Sequence, residues 1–154
     1  MARFVFRLAP VLRQRERVEE QKKLFLAREQ RVLADAEARR EMLRKRRESL
    51  ARELIAEHRK LDAEGLRLAY AHLDFLAREI AAADYHVAAC QGAVDRAREV
   101  LVRATKDRKI LDRLQERQRE AFNREQLRLE QRELDDDNAR RYVRASQSAQ
   151  RQGV

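Results

Sequence analysis

The side chains able to do chemistry in this chain are few. They are three histidines (His58, His72, His86), one cysteine (Cys90) and scattered hydroxyls such as Ser49, Thr105, Ser146 and Ser148. A metal site needs ligands that converge on one point. His72 and His86 are fourteen residues apart, which along one helix is about 21 Å, so they cannot share an ion. Phosphate chemistry needs a glycine-rich loop, and covalent catalysis needs a nucleophile beside a base. Neither pattern is present, so the residues predict no catalytic group, no metal and no cofactor. One basic run remains, RREMLRKRR at 39–47, with six cations and one acid. It could meet nucleic acid or an anionic surface. It lacks stacking aromatics and any base-reading motif, which favours a solvated helix face or a patch for an acidic protein.

Composition says which elements must carry these residues. Of 154 residues 41% are charged and 5% aromatic, with three Gly, one Pro and no Trp. Compact domains need turns, and turns need Gly and Pro. A chain rich in Ala, Glu, Lys, Leu and Arg reads instead as long helices or coiled coil. The net charge of +9 is carried mostly by Arg, interleaved with Glu as in RQRERVEEQKK. Such interleaving makes solvated i,i+4 pairs, each worth about 0.3 kcal/mol. The surplus favours acidic partners. No stretch approaches the ~20 apolar residues of a membrane span. The opening MARFVFRLAPVLRQRER lacks the continuous apolar core of a secretory signal. A lone cysteine forms no intrachain disulfide and fits a reducing compartment.

The apolar spacing predicts an all-α fold, a long two-helix antiparallel coiled-coil hairpin with a C-terminal helix overhang. In the second helix Leu66, Leu73, Ile80, Val87, Val94 and Leu101 recur every seven residues, and Ala69, Leu76, Ala83, Cys90, Ala97, Ala104 and Leu111 fill the alternate slots. This is a heptad seam, and Cys90 belongs to it as a small packing residue. In the first helix Leu8, Leu12, Leu26, Leu33, Ala36, Leu43, Leu50, Leu54 and Leu61 form a second seam. Val11, Val18, Phe25 and Val32 lie beside that seam as another stripe. The step of five from Leu61 to Leu66 breaks the register at Gly65, so the chain should turn back there. The expected boundaries are helix one over about 8–60, a turn over about 59–66, helix two over about 66–142 and a polar, disordered tail over 143–154. A turn centred near residue 64 sets residue i opposite about residue 128 − i, which pairs Leu33 with Val94. Helix two then outruns helix one, and the stretch LDRLQERQREAFNREQ (111–126) spans the end of the pair and the start of the overhang.

Two segments carry a family resemblance. In FVFRLAPVLRQRERVEE, residues Phe4, Phe6, Leu8, Pro10, Leu12 and Arg15 resemble the F-x-F-x-L-x-P-x-L-x-x-R opening of the flagellar export protein FliJ family. The segment KDRKILDRLQERQREAFNREQLRLEQRELDD resembles that family's second signature through Leu111, Leu114, Glu116, Arg117, Phe122, Glu130, Leu134 and Asp135. The resemblance implies a non-enzymatic, cytoplasmic stalk of the bacterial type III export apparatus, similar to the central stalk of rotary ATP synthases. It implies as partners the hexameric export ATPase, entered by the end carrying both termini, the cytoplasmic domain of the export gate, and export chaperones. It implies peripheral association with the inner membrane at the flagellar base and no nucleic-acid partner. On this resemblance the ATPase-facing residues are Phe4, Phe6, Leu111, Arg113, Leu114, Arg117, Phe122 and Arg124. The gate-facing residues are Tyr70, Phe75, Ala82 and His86, of which Phe75, Ala82 and His86 share an outer stripe. The competing reading of the same composition is a basic coiled coil that binds nucleic acid or a membrane surface.

Overall fold

The computed structural model describes residues 3–152, and side-chain surroundings over 3–147. Two helices make up the fold: α1, Ala9–Glu57, and α2, Ala63–Gln152. They form the all-α two-helix hairpin that the heptads predict, with no strand among the described residues. No helix among those residues is long and apolar enough to cross a membrane.

Local chemistry sets the helix ends. Pro10 sits in the first turn of α1, where a missing N–H costs nothing. The chain enters that turn through Ala9 N–H donating to the Phe6 carbonyl at 3.1 Å and Leu12 N–H donating to that of Leu8 at 2.9 Å. At the other end the turn is shorter and earlier than 59–66. It occupies 58–62, and α2 starts at Ala63 rather than at Leu66. The decisive residue is Asp62. Its Oδ1 accepts the Gly65 N–H at 2.8 Å, a side-chain cap on one of the unpaired donors of the first turn. Glu64 adds an acid where the helix dipole favours one. Gly65 is thus the third residue of α2 and not the hinge. Helix α2 also continues through residues 143–152, where composition suggested a disordered tail, and no Gly or Pro interrupts it there; residues 153–154 lie outside the described range.

The chain divides into two units, residues 15–106 and residues 1–14 with 107–154. Within 15–106 the helices pack antiparallel through Ala36, Leu54, Leu76, Val87, Cys90, Val94, Ala97 and Ala104, all buried. Val94 is the one completely enclosed, at 0% exposure. Much of this seam is Ala and Cys, and small side chains let two helix axes approach closely. Glu19 Oε1 accepts the Thr105 hydroxyl at 3.0 Å, and Arg40 lies 3.5 Å from Asp84, so residue i faces about residue 124 − i. The sequence-based register of 128 − i is therefore corrected, because the turn comes earlier. By this register Leu33 faces about residue 91 rather than Val94, and it packs against the cluster of Ala36, Val87 and Cys90. Glu19 is a buried charged residue, 6% exposed, at a seam position that the heptad reserves for apolar side chains. Its hydrogen bond to Thr105 and the Lys23 ammonium at 3.7 Å offset the cost of that burial. The stripe of Val11, Phe25 and Val32 stays uncovered, at 44%, 46% and 43% exposure.

Candidate interaction surfaces

The terminal unit is pinned by aromatic contacts. The rings of Phe4 and Phe122 meet with centroids 5.8 Å apart and planes tilted by 51°. Tilted arrangements of this kind suit the quadrupoles of the two rings. The Arg119 guanidinium lies 5.8 Å from the centre of the Phe4 ring, within cation–π range. Phe6 is buried, and Leu111, Leu114 and Phe122 are half-buried. The eight residues expected to face the ATPase therefore separate into two groups. Phe4, Phe6, Leu111, Leu114 and Phe122 are wholly or partly withdrawn from solvent, which leaves Phe6 unable to meet a partner directly. Arg113, Arg117 and Arg124 point to solvent, and Arg124 donates from Nε only to the Glu120 carbonyl of its own helix, at 3.4 Å. Arg119 was not singled out by sequence reasoning. One arginine among many in 111–126 carries no signal until Phe4 is placed beneath it. Leu127, Leu134 and Tyr142, at 65%, 60% and 77% exposure, are further apolar side chains left open in this unit.

The gate-facing set lies within 15–106 and is not one site. Ala82 and His86 are together in an open groove of about 530 Å³, lined also by Val32, Asp35, Ala36, Arg39, Leu43, Glu79 and Ala83. Phe75 belongs to a second groove with His72, Leu50, Leu61, Leu68 and Ala69. The His72 and Phe75 rings stack with centroids 6.2 Å apart, so His72 supports an exposed aromatic in addition to being a surface group. Tyr70 is 54% exposed and lines neither groove. His86 Nε2 approaches the buried Cys90 Sγ at 3.7 Å, which ties the groove wall to the seam beneath it.

The basic run 39–47 is partly neutralised within the fold. Arg40 and Arg44 flank Asp84 at 3.5 and 2.9 Å, and Lys45 lies 3.8 Å from Glu41. No group of three or more metal-binding side chains gathers among the described residues.

The family model for the flagellar FliJ protein matches residues 4–147. The chain belongs to that family. The match spans both segments that carry the resemblance, and it makes this FliJ-family chain a component of the flagellar protein export apparatus, in a family of structural export components. No curated protein and no solved structure matches the chain.

Proposed function

We propose that this FliJ-family protein is the stalk of its export apparatus. In this reading the unit formed by 1–14 and 107–154 inserts into the central hole of the hexameric export ATPase, and the hairpin reaches the cytoplasmic domain of the export gate. The protein would then work in the cytoplasm, peripheral to the inner membrane at the flagellar base, and escort export chaperones there. The supporting observation is the construction of the terminal unit. Phe4, Phe122 and Arg119 clamp the start of the chain onto α2, while Arg113 and Arg117 remain exposed on the same unit. A stalk end needs both properties: a fixed shape, and charges open to the acidic lining of a ring, which set orientation and on-rate more than affinity. For the gate side, Ala82 and His86 in their groove and Phe75, exposed on the same helix, supply apolar and aromatic anchors, and Tyr70 is a further exposed aromatic of that helix.

The test is ATP hydrolysis by the cognate export ATPase, with and without this protein, beside a pull-down of the two. Wild-type protein should co-purify and raise turnover. Arg113→Glu with Arg117→Glu should weaken both effects at unchanged helicity. Undiminished binding by that double variant would remove the ring-facing assignment.

A further inference from the structure

The uncovered stripe on α1 has a counterpart on α2. Val32 and Arg39 of α1, seven residues apart, share a groove with Glu79 and His86 of α2, also seven apart. Residues at that spacing hold one helix face. Val18 and Phe25 therefore extend the α1 wall, and Ala93 and Val100 extend the α2 wall. The antiparallel register sets the two extensions side by side, since Phe25 faces about residue 99 by the spacing that Glu19 and Thr105 define. The result is a strip floored by Val18, Phe25, Val32, Ala93 and Val100. Phe25, Val32 and Val100 remain 46%, 43% and 38% exposed, which is a high exposure for side chains of this size lying in a row. From Val18 to Val32 the strip is about 21 Å long, four turns of helix.

Charge gives the strip its selectivity. Arg28 lies three residues after Phe25 and four before Val32, so it edges the strip on α1. Arg96 and Arg103 edge it on α2, each three residues after a floor residue, Ala93 and Val100. Among the described residues no ion pair holds these three, whereas Asp84 and Asp95 hold Arg40, Arg44 and Arg98. Nearer the seam Lys22 and Glu29 cancel in charge, and the two acids of the groove, Asp35 and Glu79, stand at the far end with Arg39, away from Phe25 and Val100. An apolar floor between arginine edges fits one chemistry. We propose that this face is a docking groove for an amphipathic helix of a partner protein whose apolar stripe is flanked by carboxylates, the helix-in-groove mode of recognition. Ala82 and His86 occupy the far end of the groove, and the floor used here includes neither, so this inference stands apart from the gate reading and from the ATPase contact.

The test uses the full-length protein and two fluorescein-labelled 21-residue helical peptides that share one leucine stripe, flanked in one by Glu and in the other by Lys. Binding is read by anisotropy at physiological salt. The Glu-flanked peptide should bind at least about tenfold more tightly than its Lys twin. Phe25→Gln with Val32→Gln should lose about tenfold of that affinity, and both sites are exposed enough to spare the fold. Arg28→Glu, Arg96→Glu and Arg103→Glu together should reverse the preference between peptides. Equal binding of the Glu-flanked peptide by wild type and both variants would overturn the groove and leave only attraction to a cationic protein. Concentration-dependent dimerisation by sedimentation velocity, lost in Phe25→Gln with Val32→Gln, would overturn the acidic partner in favour of a second copy of this chain.

Discussion

Replacing Phe4 by Ala tests whether the start of the chain is clamped or merely adjacent. Phe4 is half-buried, so its truncation gives up about half of the burial free energy of a phenyl ring, about 1 kcal/mol. The tilted contact with Phe122 at 5.8 Å adds about 1 kcal/mol beyond area. The Arg119 contact is partly solvated and adds a few tenths at most. The total is about 2 kcal/mol, which multiplies a local opening constant by about 30. The effect should be local because α1 between Arg15 and Glu57 packs within the other unit. Amide hydrogen exchange reads this directly. The amides of Leu12 and of the turn that follows should exchange about 30 times faster in Phe4→Ala, while those near Val94 hold their protection and the far-ultraviolet signal stays flat. Phe122→Ala should produce the same acceleration, and the double variant little more, since each deletes the same contact. Unchanged exchange at Leu12, or equal acceleration near Val94, would refute the reasoning. The first result would mean that the rings touch without holding anything, and the second that the two units open together.

Three pairs of substitutions probe the helices themselves by chemical denaturation. Gly92→Ala should stabilise by about 0.5–1 kcal/mol, because the new methyl meets only the flexible Arg96 guanidinium at 3.4 Å and gains helix propensity; Gly65→Ala should bring no such gain, since its Cβ would lie 3.0 Å from the capping Asp62 carboxylate and 3.3 Å from Leu61. Val94→Ala should cost about 2 kcal/mol by opening a void at the most enclosed point of the seam, whereas Val143→Ala, at a half-exposed site, should change stability by less than about 0.5 kcal/mol. Thr105→Val should cost about 1–2 kcal/mol by withdrawing a donor from the buried Glu19 carboxylate, and Thr105→Ser should restore most of it.

The hairpin was legible in the sequence because the seam of α2 repeats without a polar interruption from Leu66 to Ala104, and that repeat fixes both helix type and buried face. The row of Ala and Cys at alternate slots likewise announced a close-packed seam. The turn was misplaced because a register step reports that the chain reverses but not which backbone group is capped. The step pointed at Gly65, whereas Asp62 ends the turn by its carboxylate. In the sequence Glu19 is one of the interleaved charges of RQRERVEEQKK, and only a partner on the other helix distinguishes a buried carboxylate from a solvated one. The division of the terminal residues into clamp and exposed arginines was hidden for the same reason. Which rings and which cations meet depends on pairing between segments more than a hundred residues apart.

The surplus of positive charge can be followed through the fold, and its distribution bears on function. Many cations are occupied within the protein: Lys45 and Arg52 by acids one turn away, Arg40 and Arg44 by Asp84 across the seam. Exposed pairs of this sort add little stability, but they decide what the surface offers. They quieten the densest basic run, 39–47, which on composition alone was the best candidate for nucleic acid. The cations of the proposed contacts lie elsewhere. Arg113 and Arg117 lie on the terminal unit, and Arg28, Arg96 and Arg103 edge the apolar strip of the hairpin. A nucleic-acid binder would be expected to line a phosphate backbone with a continuous band of such groups and to lose affinity steeply with salt. Cations placed in small sets, one beside a hydrophobic clamp and one beside a hydrophobic floor, suit protein partners instead. There the apolar contact supplies the affinity, and the charge selects an acidic surface and speeds the encounter.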